Sequence, residues 1–373
     1  MQKKCEFFYM LDVMLKETYN IPKLPPNFDF ETLPIMKALN EATRSLAEVK
    51  GRAPVIPNQG ILIDTLSLQE AKDSSEIENI VTTNDELFRG GFEKDSQLSG
   101  AAKEVAVYRD ALRLGFERLH KSGLITNRTL IEMFQILKNR DDGFRKLPGT
   151  ALKNDHGEII YVPPQDPAQV EDQMAALEAY INENTNFDPL IRMAIIHHQF
   201  ESIHPFPDGN GRVGRMLNVL YLTKENLLNI PILYMSRGIN RTKLDYYRLL
   251  QAVRDDGAWE DWVVYILNIV TETSQITLGL ITEIREMMAY VKTAIRSDHP
   301  KIYSQDLINN LFRHPYTRIE FVMNELGVSR PTATSYLEKL AEDEKLPIEK
   351  IVEGRNNYYV NTALVGLLAD PKA

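Results

Sequence analysis

One stretch restricts this chain more than any other: His204-Pro-Phe-Pro-Asp-Gly-Asn-Gly-Arg-Val-Gly-Arg215. Pro205 and Pro207 forbid a regular helix or an interior strand through it. The preceding residues, Ile195-Ile-His-His-Gln-Phe-Glu-Ser-Ile203, read as a helix, and the apolar spacing after Gly211 predicts another. The chain is therefore expected to run helix, broken loop, helix at this point. Gly209, Gly211 and Gly214 satisfy G-x-G-x-x-G, but that dinucleotide fingerprint needs a buried strand before it, and here a helix precedes. The chain has no G-x-x-x-x-G-K-[ST] run, so it has no P-loop.

The remaining chemistry is that of an anion site. Arg212 and Arg215 lie three apart and share a helix face. Glycines let backbone N–H groups approach an anion, and a helix N-terminus adds a positive end. Two guanidinium groups supply bidentate phosphate contacts. Asp208 is suited to Mg²⁺, which takes one or two carboxylates plus substrate phosphates. His204 is a base that titrates near neutral pH. One loop thus carries what is needed to transfer part of a nucleoside triphosphate to a hydroxyl. Alone, each residue has a plainer role: His204 as a structural histidine, Asp208 as a helix cap, the arginines as a solvated face. His197 and His198 lie outside the run and read as packing histidines.

Composition sets the frame. The 373 residues are 43% hydrophobic and 25% charged, an ordinary globular mix with room for two or three domains. A net charge of −9 argues against a general nucleic-acid coat. The single cysteine, Cys5, excludes an internal disulfide framework and any CxxC site, which fits a reducing, cytoplasmic setting. Residues 1–15 begin like a signal peptide but Asp12 interrupts the apolar run, so a partly buried segment is expected. No run of about 18 apolar residues is read along the chain, so no membrane span is expected.

Apolar periodicity predicts a mainly α chain, with helices over 31–49, 61–80, 103–119, 126–137, 168–182, 189–201, 211–224, 244–253 and 259–296, and a break at Gly90-Gly91. Thr126 or Asn127 is the expected N-cap of the fourth. Residues 151–154 and 158–162 flank Asp155-His156-Gly157 as a β-hairpin. Beyond Asp298-His299-Pro300, two short helices (318–326 and 331–340) joined at Gly327, then strands 348–352 and 358–361 around Gly354-Arg355-Asn356, give the order of a winged helix-turn-helix.

The run from His204 to Arg215 matches the Fic signature, H-x-F-x-[DE]-G-N-G-R-x-x-R, at every fixed position, and the chain resembles Fic-domain protein adenylyltransferases. The resemblance implies a Fic-type helical core with a hairpin flap and a small C-terminal winged helix-turn-helix domain. It divides the chain into an N-terminal helical region (1–100), a catalytic core (101–296) and the winged helix (301–373). It also implies that His204 deprotonates the target hydroxyl and that Asp208 holds Mg²⁺. Gly209, Asn210, Gly211, Arg212, Val213, Gly214 and Arg215 would bind ATP, and Tyr247 would line the adenine pocket. Phe206 would anchor the loop in the core. Gly211 stands where a phosphorylating variant of the family has Lys, which favours nucleotidyl transfer.

Fic proteins often carry an inhibitory helix, [ST]-x-x-x-E-[GN]. Ser74-Ser-Glu-Ile-Glu78-Asn79 fits this pattern. By resemblance Ser74, Glu78 and Asn79 form a brake in which Glu78 pairs with Arg215. The hairpin is the expected docking edge for a target protein, since a strand edge binds extended chain with little sequence demand. A homodimer is left open. Two rivals remain: a DNA-binding regulator that uses the core as a nucleotide sensor, and an enzyme in which Glu78 activates water to remove AMP. Residues 301–373 hold 9 Lys plus Arg against 10 Asp plus Glu, a poor footprint for DNA. A protein-interaction role for that region is favoured.

Overall fold

A computed structural model describes residues 19–90, 99–154, 156–185, 187–353 and 356–369. The expectations for the first fifteen residues, Cys5, Gly91, Asp155, Gly354 and Arg355 fall outside these. The chain passes through α1 (Leu33–Arg52), α2 (Gln59–Ile77), α3 (Asn84–Gly90), α4 (Gly100–Ser122) and α5 (Asn127–Lys138). The hairpin β1 (Leu152–Lys153) and β2 (Ile159–Tyr161) follows, then α6 (Pro167–Asn182), α7 (Pro189–Ile203), α8 (Asn210–Lys224), α9 (Ser236–Arg241), α10 (Lys243–Asp256) and α11 (Trp259–Asp298). The C-terminal part contains α12 (Gln305–Arg313), β3 (Tyr316–Thr317), α13 (Ile319–Leu326), α14 (Arg330–Ala341), β4 (Ile348–Glu353), β5 (Asn356–Asn361) and α15 (Thr362–Ala369).

The expected mainly α chain with a short hairpin is what forms. Two compact units result, neither continuous in sequence. One takes the residues up to Arg44 with Asp110–Pro231 and Met235–Thr271; the other takes Ser45–Arg109, Ile232–Tyr234 and the residues from Glu272 onward.

In the first unit the core is built on α7 and α8. Every residue of α7 from Leu190 to Ile203 is buried, and so is most of α8. A helix buried on all sides needs its ends capped from elsewhere. Pro189 sits at the first turn, where its missing N–H costs nothing, and Asp188 accepts from the Leu190 N–H at 2.8 Å. The two helices approach closely because Gly214 has no side chain: a Cβ there would lie 2.6 Å from Glu201 Oε1 and 3.1 Å from the Phe200 ring. Gly115 of α4 makes the same allowance for Leu220 and Met133, each 2.7 Å from a Cβ built there. Thr126 is the N-cap of α5, accepting from the Thr129 N–H at 3.2 Å. The hairpin is shorter than expected, pairing Leu152 with Tyr161 and Lys153 with Ile159 across an irregular register. Asn154 closes its turn, its Oδ1 accepting from the His156 and Glu158 N–H groups.

In the second unit α12 packs on α2. Arg313 Nε donates to Asp64 Oδ2 at 2.6 Å, and Glu325 joins the same network through His314 at 2.6 Å and Asn310 at 2.8 Å. Strands β3, β5 and β4 form an antiparallel sheet in that order. Gly327, at φ +65, makes the turn between α13 and α14. Helices α3, α9, α12 and α15 were not expected; each is short, and their apolar residues are too few for a clear period.

One expectation needs correction. Helix α11 runs unbroken for 40 residues and contains a window of mean hydropathy 1.3, which is long and apolar enough to cross a membrane by length and composition alone. About half of that window, 56%, is buried inside the protein, as for a core helix. Trp262 shows why: it is fully buried and its Nε1 donates to the Ala194 carbonyl at 2.9 Å.

Phe206 bridges the α7–α8 loop and this core. Its ring stacks on Phe134 at 4.4 Å and meets Phe144 at 5.4 Å and Phe200 at 6.3 Å. Truncating so buried a ring removes transfer energy and leaves a cavity, so Phe206→Ala should lower stability by about 3–5 kcal/mol. Urea unfolding of both proteins measures this, and a loss under about 1 kcal/mol would mean that the loop is not anchored here.

Candidate active site

The loop between α7 and α8 makes the site. Helix α7 ends at Ile203, and His204 caps it in the left-handed region at φ 50, its N–H bonded to the Phe200 carbonyl at 2.9 Å. The other non-glycine residues with positive φ, among those described, are Asn79, Asn139 and Asn226. Asparagine visits this region readily, whereas for histidine the strain is of order 1 kcal/mol or more. Strain of this kind is held in place by its surroundings.

Those surroundings centre on Arg145, which no local pattern in the chain singles out. Its side chain is buried, with 5% of its surface exposed. Nε donates to the His204 carbonyl at 2.9 Å, and Nη2 donates to the carbonyls of Pro164 and Ile203. Its own N–H donates to the Pro205 carbonyl at 2.8 Å. Burial draws the Arg145 pKa down to about 10, so it stays a cation at neutral pH.

Asn210 fixes the other side of the loop. Its Oδ1 accepts from the Phe206 N–H and its Nδ2 donates to the Phe206 carbonyl, both at 2.8 Å. This side chain is thus engaged with the loop, and its backbone faces the α8 terminus. Gly209 is the left-handed N-cap of α8 at φ 73. A left-handed residue followed by a helical turn forms a nest of N–H groups suited to an anion.

Arg212 and Arg215 are not a solvated face: each is almost wholly buried, at 1% and 2% exposure. The Arg212 guanidinium comes within 3.7 Å of the Cβ position at Gly209. The charge of Arg215 acts on His197 and Tyr246. Val213 is a core side chain and Gly214 a helix-contact position, so only their backbones remain for a ligand. Tyr247 is 42% exposed and packs edge-on against buried Tyr246 at 5.2 Å. Tyr246 itself is a core group, its hydroxyl 2.9 Å from His197 Nε2.

Asp208 projects into solvent, with 59% of its side chain exposed. Its Oδ2 is 2.7 Å from Lys138 Nζ, and its Oδ1 accepts from the Gly209 N–H at 2.6 Å. Burial pulls the carboxyl upward, but Lys138, Gly209 and Arg212 together outweigh it and hold the pKa below the usual range. Lys138 is a second site residue that sequence reasoning missed. Among the described residues no cluster of three or more His, Cys, Asp or Glu could cage a metal ion. A single open carboxylate beside a phosphate nest fits an ion shared with a substrate's phosphates.

His204 is partly open to solvent but its Nδ1 is buried. Burial, then the charges of Arg145 and Arg254, pull its pKa down to about 3, against a weaker pull from Glu201 and Asp208. The ring is neutral at pH 7, so it can accept a proton. Ser74 and Ser75 are buried on α2, and that helix ends at Ile77, short of the expected Ile80. Glu78 is its C-cap, half-buried, and Asn79 follows at φ 63.

The geometry defines an α-helical protein in which a loop opens onto a helix N-terminus, with a histidine at the start of the loop and two buried arginines on that helix. Comparison with known proteins makes this specific. Residues 124–222 match the Fic/DOC family, residues 36–117 the Fic/DOC family N-terminal region, and residues 287–364 the C-terminal domain of the SoFic-like protein adenylyltransferases. The chain is a Fic-domain protein. It is 30% identical over 174 residues to a probable protein adenylyltransferase of Aquifex aeolicus, covering 45% of this chain and 51% of that one. Over 133 residues it is 29% identical to the protein adenylyltransferase fic-1 of Caenorhabditis briggsae, 33% of this chain and 24% of the relative. The chain thus spans about half or less of the relatives it matches.

Two crystal structures share the fold. A Fic family protein from Desulfovibrio desulfuricans G20 aligns with a TM-score of 0.55 at 23% identity, over 87% of this chain and 95% of its own. A Fic domain containing signaling protein from Bacteroides thetaiotaomicron aligns at 0.53 and 16%, over 65% and 97%.

The buried histidines set a pH dependence. Burial, then the charge of Arg215, holds His197 at about 3; burial, then Arg254, holds His198 well down. Unfolded, both titrate near 6.5. Below that value the unfolded chain binds protons that the folded chain refuses, so stability present above pH 6.5 is lost as pH falls toward 3. The expected slope is up to about 1.4 kcal/mol per pH unit for each histidine. Urea unfolding at pH 7, 6 and 5 measures it, and His198→Gln should remove about one proton from the slope. An identical slope in that variant would mean His198 is charged in the folded protein.

Proposed function

We propose that this chain is an autoinhibited protein adenylyltransferase. It transfers AMP from ATP to a hydroxyl side chain of a target protein, and of itself, with release of pyrophosphate. The observation that carries this reading is the neutral His204, held in a left-handed turn at the mouth of an N–H nest whose helix buries Arg212 and Arg215. Support also comes from the relatives that are themselves named protein adenylyltransferases.

In this reading the phosphates lie over the first turn of α8, where the N–H groups of the Gly209–Arg212 segment and the two guanidinium groups offset their charge. The target hydroxyl oxygen attacks the α-phosphorus, the bond to the bridging oxygen breaks, and pyrophosphate leaves. The hydroxyl proton passes to His204. Its buried Nδ1 leaves Nε2 to meet the substrate. A triphosphate placed beside the ring adds negative charge and raises its pKa, so His204 becomes a stronger base only when the site is loaded. Magnesium, held by Asp208 after its carboxylate leaves Lys138, would neutralise charge on the phosphates. Tyr247 is read as an adenine-side residue and the β1–β2 hairpin as the docking edge for the target.

Ser74, Glu78 and Asn79 are read as the brake, with Glu78 removing Arg215 from the phosphates. Residues 1–100 would then be the regulatory helical region, 101–296 the catalytic core, and 301–373 a winged helix that engages a protein rather than DNA. A cytoplasmic location fits the single cysteine.

Incubation with α-labelled ATP and Mg²⁺ tests the activity. Label should appear on the protein itself, and His204→Ala should lower transfer by a factor of roughly 10²–10⁴. Unchanged transfer would remove His204 from its role, and label arriving only from the γ-phosphate would make this a kinase. Glu78→Gly should raise transfer by on the order of 10- to 1000-fold, as expected for freeing one partner of a desolvated charge pair. Glu78→Gly with Arg215→Ala should return to low activity, and Glu76→Gly should do little. If Glu78→Gly instead abolishes removal of AMP from a modified protein, Glu78 is a water-positioning base.

A further inference from the structure

The last carbonyls of an α-helix have no partner within it. In α7 these carbonyls are buried, and they belong to the residues that lead into the catalytic loop. The last two of them, at Ser202 and Ile203, and the next two carbonyls in the loop, at His204 and Pro205, are satisfied from a single stretch of chain. Tyr161 Oη donates to the Ser202 carbonyl at 2.6 Å. Arg145 donates to the Ile203 carbonyl at 3.3 Å and to that of His204 at 2.9 Å, and the Arg145 N–H donates to that of Pro205 at 2.8 Å. Both donors bracket the hairpin: Arg145 precedes β1 and Tyr161 ends β2. Arg145 also donates to the Pro164 carbonyl, just past β2. A second cation locks Tyr161, as the Arg254 guanidinium lies 3.8 Å over its ring and Nε donates to Ser202 Oγ at 3.2 Å.

From this arrangement we propose that Arg145 is a positioning residue: it holds His204 in its left-handed turn and ties that turn to the root of the hairpin, so that the base and the target-docking edge keep a fixed separation. Tyr161 is the minor member of the same clamp. A planar guanidinium can reach three carbonyls from one fixed place, and an ammonium cannot. A positive charge at a helix C-terminus also suits the helix dipole. Neither side chain is asked to touch the nucleotide. The expected signature is therefore a lower turnover number with an unchanged KM for ATP.

The inference rests on the adenylyltransferase reading for its role, and on the hydrogen bonds alone for its geometry. The experiment separates the two. AMP transfer is measured first for the unmodified chain; its absence overturns the activity and leaves the clamp to be judged by exchange. Given activity, Arg145→Lys, which keeps the charge, should lower kcat by roughly 10- to 100-fold, since misplacing a reacting group by about 1 Å costs that much. KM for ATP should stay within about twofold, measured at a temperature where circular dichroism shows the variant to be folded. Tyr161→Phe should lower kcat by a few-fold with the same KM. A Lys variant with full turnover, or a loss shared between kcat and KM, overturns the proposal. Should Arg145→Lys fail to fold, Tyr161→Phe carries the kinetic test. The unmodified protein, labelled with ¹⁵N-arginine, carries the geometric one: the Arg145 Nε–H should exchange slowly with solvent and lie close to the His204 Hα. A freely exchanging Nε–H overturns the clamp whatever the activity.

Discussion

Helix α7 must end inside the protein, and most of the site follows from how it ends. Pro205 and Pro207 prevent the helix from continuing, so the chain turns at His204, in a left-handed conformation uncommon for a residue other than glycine. The carbonyls released at that end are buried and cost about 1–3 kcal/mol each if left unmade. The chain meets this cost with a buried arginine and a tyrosine taken from around the hairpin. The hairpin therefore lies beside the loop because its flanks supply the missing donors. Asn210 does the same from the α8 side, with both polar atoms of its side chain on Phe206. The loop is held by hydrogen bonds from both directions, and Phe206 is packed beneath it.

The same device sets the electrostatics. The whole chain carries −9, yet Arg145, Arg254, Arg212, Arg215 and Lys138 gather on or below this one loop. Burial first, and then the charges of Arg145 and Arg254, keep His204 neutral, and a cationic surround of this kind attracts a polyanion. Charge supplied by a bound triphosphate would reverse part of that suppression. In the proposed reaction, base strength and substrate binding would be coupled through one local field, with no movement of the backbone required.

The loop and the two helices that flank it were legible because prolines, glycines and a dense apolar run leave few alternatives. The family was legible because the signature lies in twelve consecutive residues. The supports were not. Arg145 lies 59 residues before His204 in the chain, and Lys138 is 70 residues from Asp208; nothing local marks either as different from a surface cation. Gly214 reads as part of a phosphate nest, but its lack of a side chain also answers to Glu201 and Phe200 on the neighbouring helix. Short helices such as α9 and α12 escaped because one or two turns do not establish a period. The full length of α11 was legible to within two residues, because its apolar stripe keeps a helical period throughout.

The second unit shows how a helix can be fixed at one end and expressive at the other. On α2, Asp64 is held by Arg313, itself part of a network with Glu325 and His314. Ser74 and Ser75, more than two turns further on, are fully buried. Beyond Ile77 the helix stops, since Asn79 takes a left-handed backbone and the Glu78 N–H turns back to the Ser75 carbonyl. At 1.5 Å per residue, Glu78 stands about 20 Å from Asp64 along the axis. A residue at the end of a helix anchored this way has a defined position without being packed in place. It can exchange partners at the cost of a surface group, while the helix that carries it stays where the C-terminal network holds it. The proposed role of Glu78 as a brake would draw on that combination, and a residue in the middle of α2 would lack it.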